Sequence, residues 1–175
     1  VMTGELGTYT AYVDPGLCQV QREIADVLWI RTTSPEVQIV EVAITTPVIS
    51  GVNFGWAPVV DTSSVVPSLI LGNAPCGDTA QCWLSYINRG TRIEQGRIAL
   101  ELDPLFGYIS SIPPPTSAIG NTITWEFDDL SYFEAGLIDL QLLRPPPSSS
   151  GAIWTNTTSV TTVDSLGNTT GVFVL

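Results

Sequence analysis

The stretch GNTITWEF, residues 120–127, decides the fold class of this chain. Its first two residues, Gly and Asn, are a turn signal. After them the apolar residues Ile123, Trp125 and Phe127 alternate with polar ones, which places the three apolar side chains on one face of a β-strand. The stretch therefore predicts a half-buried strand that begins directly after a tight turn.

The same pattern extends along the rest of the chain. Short β-branched and aromatic runs are separated by turn residues, at the spacing that β-sandwiches show. Residues 19–30 could form an apolar helical face, but they lack a good N-cap and a C-terminal glycine and are interpreted as a strand or a single turn. The sequence thus predicts an all-β protein, with candidate strands at 7–13, 37–45, 48–56, 68–71, 82–87, 97–102, 108–112, 122–127, 137–143, 152–163 and 169–175.

The composition changes near residues 59–68, where VVDTSSVVPS reads as a linker or a connecting strand. We expect an N-terminal β part at 1–60, a linker or connecting strand at 61–75, and a second part at 76–175. No signal peptide is visible and the chain starts in mid-pattern, so it is interpreted as a processed form or an excerpt.

The ionisable residues exclude several functions. The 175 residues contain no His and no Lys, and the formal net charge is −11. Without His the chain lacks the commonest general base and zinc ligand, and without Lys it lacks Schiff-base chemistry and the phosphate-loop lysine. Clustered cations for nucleic acid are missing, and the apolar runs are too short to span a membrane. We therefore expect no enzyme, no nucleic-acid partner and no membrane insertion.

Three cysteines favour an oxidising compartment. Cys76 and Cys82 flank a Gly-Asp turn, so a local disulfide between them is sterically reasonable. Cys18 with Cys76 is a competing pair, because three cysteines permit any one pair. Abundant Thr, Ser, Asn and Gly fit a secreted, extracellular protein, and three buried thiols in a reducing compartment are the alternative.

Carboxylates are the one plausible source of site chemistry. The best cluster contains Glu126, Asp128 and Asp129, which Asp103 and Glu101 would join if the fold brings them close. Such a cluster could bind calcium or serve as a glycosidase acid and base. No calcium-loop spacing is present, so a solvated turn is favoured and no cofactor is expected, with calcium as the alternative.

Tryptophans supply the alternative function, because exposed aromatic faces stack on sugars. The chain would then be a carbohydrate-binding module whose ligands are surface glycans. Trp83 and Trp125 are expected to fill the sandwich core. The sequence does not decide whether the remaining three are buried or exposed: Trp29, Trp56 and Trp154. A coplanar exposed row of these three would favour sugar binding.

Three motifs in the second part occur in a characteristic order: WLSYINRGT at 83–91, LDP at 102–104 with YISS at 108–111, and PPPT at 113–116 before GNTITW at 120–125. In these motifs, residues 76–175 resemble the immunoglobulin-like conserved-repeat domain of Bacteroidota-type secreted surface proteins. The chain departs from the family at Glu134-Ala135-Gly136, where Pro-Gly is common. The resemblance implies an immunoglobulin-like β-sandwich and a structural or adhesive module, a spacer or filament-forming subunit at the cell surface. Its partners would be other copies of itself or neighbouring domains of the same chain.

The N-terminal part contains GTYTAYV at 7–13 and VNFGW at 52–56. These resemble the tail of a Cna-B or prealbumin-like domain, which implies a second, smaller or incomplete β-sandwich part. Some relatives of this kind weld themselves with a Lys–Asn isopeptide bond, which a chain without Lys cannot form.

Two Asp-Ser/Thr-aliphatic triplets resemble the sites that Bacteroidota use for O-glycosylation, and they place the modification on Thr79 and Ser165. Two ordinary Asp-capped turns are the alternative.

The C-terminal segment is β-prone and lacks the charges that guard sheet edges. It could pair within its own domain or add to a neighbouring subunit's sheet. The N-terminal part has fewer strands than a complete domain of its kind. We therefore expect head-to-tail strand exchange between copies, which builds an open filament. A fragment of a multidomain chain is the alternative. The segment consists of Gly171, Val172, Phe173, Val174 and Leu175.

Overall fold

The computed structural model describes residues 2–3, 8–21, 27–45, 48–149 and 151–175. The chain divides into two compact units, Val1–Val60 and Asp61–Leu175. Within the described ranges the regular structure is β-strand with one 3-10 turn at Pro147–Ser149, and no helix there is long and apolar enough to cross a membrane. The predicted all-β fold class is confirmed.

The first unit consists of short antiparallel strand pairs. Strand β1 pairs with β2, β3 with β5, and β4 with β6. In the segment 19–30 the described ends belong to strands β3 and β4, while residues 22–26 lie outside the described part, as does Gly7 of the strand expected at 7–13. The strands among the described residues of this unit are β1 (Met2–Thr3), β2 (Tyr9–Thr10), β3 (Gly16–Val20), β4 (Trp29–Arg31), β5 (Gln38–Val42) and β6 (Trp56–Pro58).

The second unit is a two-sheet sandwich. The four-stranded sheet has the order β10-β13-β8-β7 and the five-stranded sheet the order β11-β12-β9-β14-β15, with every neighbouring pair antiparallel. The nine strands are β7 (Val65–Leu71), β8 (Thr79–Asn88), β9 (Glu94–Glu101), β10 (Gly107–Ile112), β11 (Ser117–Ile119), β12 (Thr122–Leu130), β13 (Ala135–Leu143), β14 (Thr157–Val163) and β15 (Thr169–Val174).

Strand β12 forms as its sequence predicts. Gly120 adopts a left-handed backbone conformation (φ 60°) in the two-residue turn that joins β11 to β12. Ile123, Trp125 and Phe127 are all buried, while Glu126 between them is exposed. Glycine suits this turn because it has no Cβ to clash at positive φ.

Both sheets contribute side chains to one buried core. Ala80, Cys82 and Leu84 alternate along the inner face of β8, and Ile98 and Leu100 do so along β9. Two antiparallel sheets that share one apolar interior form the predicted immunoglobulin-like sandwich.

The segment 61–75 belongs to the sandwich. Its residues 65–71 form strand β7, which pairs with β8 along its whole length. The loop before β7 is also fixed, because the amide of Thr91 donates to the carbonyl of Thr62 at 2.9 Å. Of the two expectations for this segment, the structure therefore has the strand, and the second unit begins at Asp61, upstream of the boundary expected at residue 76.

Candidate functional site

The carboxylates proposed as an acidic cluster do not form one. Glu126 is paired with Arg97 across β12 and β9, whereas Glu101 stands opposite Thr122 at the far end of the same pair of strands. Asp103 organises its own loop, because its carboxylate accepts from the amide of Leu105 at 3.0 Å. Exposed Asp128 and Asp129 lie within β12, where its register with β9 shifts between Phe127 and Leu130. Among the described residues, no group of three or more Asp, Glu or Cys is placed to hold a metal ion.

The structure buries one of the two tryptophans that were expected in the core and exposes the other. Trp125 fills the core as predicted, but Trp83 is 38 % exposed, so its predicted core position is wrong. Trp83 follows the core residue Cys82 by one position and therefore points to the opposite face of β8. Gln81 and Ser85, the next residues on that face, are polar, and this alternation is the sequence signal that could have placed Trp83 outside.

The three tryptophans left open are all half-buried. Trp29 and Trp56 lie on β4 and β6 of the first unit. Trp154 packs against the core of the second unit and meets Phe106 edge to face, with ring centroids 6.0 Å apart. This packing accounts for Trp154 without a ligand.

Glu94, at the start of β9, is a buried acid. It is only 2 % exposed, and its Oε1 atom has no hydrogen-bond partner among the described residues. Burial raises the pKa of this carboxyl, and a hydrogen bond from Ser63 and the charge of Arg92 oppose that rise. Glu94 lines a cavity of about 440 Å³ together with Asp61, Arg92 and other residues.

Several polar side chains near Glu94 are hydrogen-bonded to one another. Arg92 donates to both carboxylate oxygens of Asp61, at 2.5 and 2.7 Å, which lowers the pKa of Asp61. On the other side, the hydroxyls of Ser63 and Thr170 each lie 2.9 Å from that of Thr162. Glu94 thus accepts from Ser63, the first of three hydroxyls linked through Thr162 to Thr170.

We predict that Glu94→Gln stabilises the second unit at neutral pH. Since the folded-state pKa is raised above the ordinary value of 4.5, stability is highest below that value. The free energy of unfolding then falls as the pH rises from 4.5 to the folded-state pKa of Glu94. The amide removes the buried charge, so we expect a gain of about 1 kcal/mol at pH 7 that fades towards pH 4. Urea unfolding across this range measures it, and Glu101→Gln, on the exposed end of the same strand, is the control. An equal pH dependence in both variants would contradict the prediction.

The disulfide of Cys76 with Cys82, or of Cys76 with Cys18, stays a prediction, and in the structure all three cysteines are free thiols. Cys82 points into the core and is fully buried, and this burial raises its thiol pKa. Cys76 lies in the preceding loop, where the amide of Gly77 donates to the carbonyl of Pro145 at 2.9 Å. Cys82 thus lies in the core, whereas Cys76 lies in a loop that is bonded to the segment around Pro145.

Thiol titration is expected to distinguish the three cysteines. A thiol reagent should modify half-buried Cys18 and Cys76 in the native protein and reach Cys82 only after unfolding, since reagent access requires exposure. Peptide mapping of the modified protein identifies each residue. Recovery of a Cys76–Cys82 or a Cys18–Cys76 disulfide peptide would contradict this result and restore the corresponding pairing.

Both residues considered for O-glycosylation are exposed. Thr79 begins β8, and Ser165 lies in the turn between β14 and β15. In that turn the Asp164 carboxylate accepts from the amides of Leu166 and Asn168, at 2.9 and 2.8 Å. Asp164 thus has a structural role as a turn cap. Modification of Ser165 or Thr79 stays a prediction, for which the mass of the native protein is the measurement.

The C-terminal segment pairs within its own sheet. Leu175 and Thr158 exchange two backbone hydrogen bonds, of 2.8 and 3.1 Å, and the register continues to Gly171 opposite Thr162. In an antiparallel ladder the intervening residues direct their backbone groups the other way. The N–H and C=O groups of Val172 and Val174 therefore face the open edge of the sheet.

The other three sheet edges carry protective features. Edge strand β7 contains Pro67, which donates no hydrogen bond, and β11 has only three residues. Strand β10 contains a register shift and runs directly into Pro113. Strand β15 contains no proline and no charge, so it is the unguarded edge of the described sandwich.

Comparisons with known proteins identify no family. No protein-family model matches the sequence, and no curated protein does either. Among solved structures, the chain is similar to the crystal structure of a major pilin subunit of Bacillus cereus, with 8% sequence identity and a TM-score of 0.48. The match covers 93% of this chain and 54% of the pilin, so the chain spans about half the length of that structure. Membership of the conserved-repeat family stays a prediction.

Proposed function

We propose that this chain is an extracellular, non-catalytic structural module of a bacterial surface, a spacer or filament subunit that joins to other copies of itself. The observation that carries the proposal is the unguarded edge of β15 in a sandwich whose other three edges are protected. Sheets with a free, uncharged edge extend readily by adding a further strand.

An identical copy suits this edge. Each copy presents the same guarded edges, so β15 of a second copy is the strand best able to pair with β15. Two such strands run antiparallel about a two-fold axis, which is the commonest symmetry of soluble dimers. Strand β15 is uncharged, so the contact itself brings no like charges together despite the net charge of −11.

This arrangement modifies the head-to-tail exchange expected from the sequence. The C-terminal segment already has a partner in β14, so the proposed contact adds sheet to sheet instead of exchanging a strand. Pairing of this kind links two copies, and a longer filament requires a second contact outside this edge.

Val172→Pro tests the proposal by removing an N–H that faces the open edge and makes no bond to β14. Gly171 precedes it and tolerates a following proline. We expect the dissociation constant for self-association to rise at least tenfold, the effect of about 1.4 kcal/mol, in a sedimentation concentration series. Val172→Ala, which keeps the N–H, is the matched control and should associate like the parent chain.

A parent chain that stays monomeric at high concentration would refute the proposal, and so would equal association of the two variants. Thermal unfolding of each variant shows whether the sandwich is intact. Electron microscopy of the native material distinguishes dimers from filaments.

Glycan binding is a second candidate function, and the exposure of Trp83 favours it. Trp83 lies on the outer face of the four-stranded sheet, whereas the β15 edge belongs to the other sheet. The two functions therefore use different surfaces and are compatible in one module.

A further inference from the structure

We infer that the outer face of the four-stranded sheet carries a binding subsite for a neutral sugar ring, with Trp83 as its stacking platform. The inference is independent of self-association, because it uses a different sheet. Its basis is the set of side chains that the strand register places around Trp83.

The register puts an aliphatic side chain on one side of the indole and a carboxylate on the other. Trp83 stands opposite Ile70 on β7 and opposite Asp139 on β13, and Asp139 in turn stands opposite Ile112 on β10. The indole lies next to the backbone of Gly72, where an added Cβ would come within 3.6 Å of Cζ3 of Trp83. A side chain held between neighbouring strands presents its aromatic surface in a fixed direction, which reduces the entropy lost on binding.

The next row of the same face is polar. Gln81 stands opposite Gln141, and Gln141 stands opposite Ser110, whose hydroxyl lies 3.3 Å from Oε1 of Gln141. With Asp139 this gives two amides, a carboxylate and a hydroxyl beside one aromatic ring. Together with Trp83 and Ile112 they line a shallow depression of about 380 Å³, a size within the range of small-ligand sites.

This combination matches the chemistry of a pyranose ring. Such a ring has an apolar face of C–H groups, which suits an indole and its aliphatic neighbours, and a rim of hydroxyls that both donate and accept. The amides of Gln81 and Gln141 can serve both directions, and the carboxylate of Asp139 accepts two donors at once. An apolar peptide would leave these groups unpaired, which is costly when they are desolvated.

The charge of the site selects against acidic sugars. Its one ionisable side chain is Asp139, and no arginine is among the residues that line the depression. An anionic sugar would meet a like charge here and the net charge of −11 of the whole chain. The inferred ligand class is therefore a neutral hexose or N-acetylhexosamine.

Saturation-transfer NMR on the full chain tests the inference with three neutral probes, cellotriose, maltotriose and chitotriose, and with trigalacturonic acid as the anionic control. We expect transfer to the ring C–H protons of at least one neutral probe and none to the acid. Trp83→Ala should weaken the bound probe about tenfold, while Trp83→Phe should keep part of the affinity because a ring remains.

Leu137→Ala is the matched control, because Leu137 is exposed on the same sheet face but lies outside the depression, and it should bind like the parent chain. Asp139→Asn should retain the neutral probe and admit trigalacturonic acid. Absence of transfer to all three neutral probes at millimolar concentration would overturn the inference, as would undiminished binding by a folded Trp83→Ala protein. Val172→Pro should leave glycan binding unchanged, which separates this site from the proposed association edge.

Discussion

Replacing Asn88 with alanine is expected to lower the free energy of unfolding of the second unit by about 3 kcal/mol or more. Asn88 is fully buried at the end of β8. Its amide group donates to the carbonyls of Arg92 and Leu130, at 2.7 and 2.9 Å, and its side-chain oxygen accepts from the amide of Gly90 at 2.9 Å. Alanine would remove the donor to both carbonyls, whereas the amide of Gly90 would keep a second acceptor, the carbonyl of Ser64 at 3.1 Å.

The backbone of Asn88 is as strongly held as its side chain. Its N–H donates to the carbonyl of Glu134, and its C=O accepts from the amide of Phe133, each at 2.9 Å. Asn88 thus connects the end of β8 to the loop before β13 and to the loop before β9. Loss of the side-chain bonds should therefore loosen both loops together.

Hydrogen exchange of the amides in β8 and β13 measures this effect in the second unit alone, which tryptophan fluorescence cannot do because both units contain tryptophan. The matched control is Asn73→Ala, since Asn73 is exposed in the loop after β7. Equal exchange rates in the two variants would show that the Asn88 hydrogen bonds contribute nothing to stability.

Asn88 also shows how far the sequence predicts the fold. The tripeptide Asn88-Arg89-Gly90 is a recognisable turn signal, and the chain does turn there. The bond from Asn88 to Leu130 joins residues 42 positions apart, and such a contact depends on how the strands pair. Local propensity therefore predicted the turn and could not predict the buried hydrogen-bond network.

The candidate sites follow the same rule. Strand alternation contained enough information to place Trp83 outside, but its neighbours Asp139 and Ser110 come from strands whose order in the sheet no local pattern determines. The burial of Glu94 likewise depends on a cavity lined by several loops and strands. The composition of the C-terminal strand predicted that it carries no charge or proline to protect a sheet edge. The sequence left open whether that strand pairs within its own domain or with a neighbouring subunit.

Replacing Leu84 with alanine is the second change with a large expected effect, a loss of about 3 to 4 kcal/mol of unfolding free energy. Leu84 is 0% exposed on β8, the strand between β7 and β13, where it stands opposite Leu69 and Ile138. The deleted methyl groups leave a cavity between the two sheets, and the strands on either side of Leu84 limit how far the structure can collapse into it.

Leu137→Ala is the matched control for Leu84→Ala, because Leu137 is 55% exposed on the neighbouring strand and should lose less than about 1 kcal/mol. Hydrogen exchange of the β8 amides provides the measurement for both.

Leu84 and Trp83 are adjacent on β8, and their side chains point to opposite faces of the sheet. Weaker packing around Leu84 should therefore also loosen the position of the Trp83 ring. We therefore expect Leu84→Ala to weaken glycan binding in proportion to the opening of β8, although Leu84 touches no ligand. Full binding by a destabilised Leu84→Ala protein would show that Trp83 is positioned by its outer-face neighbours alone.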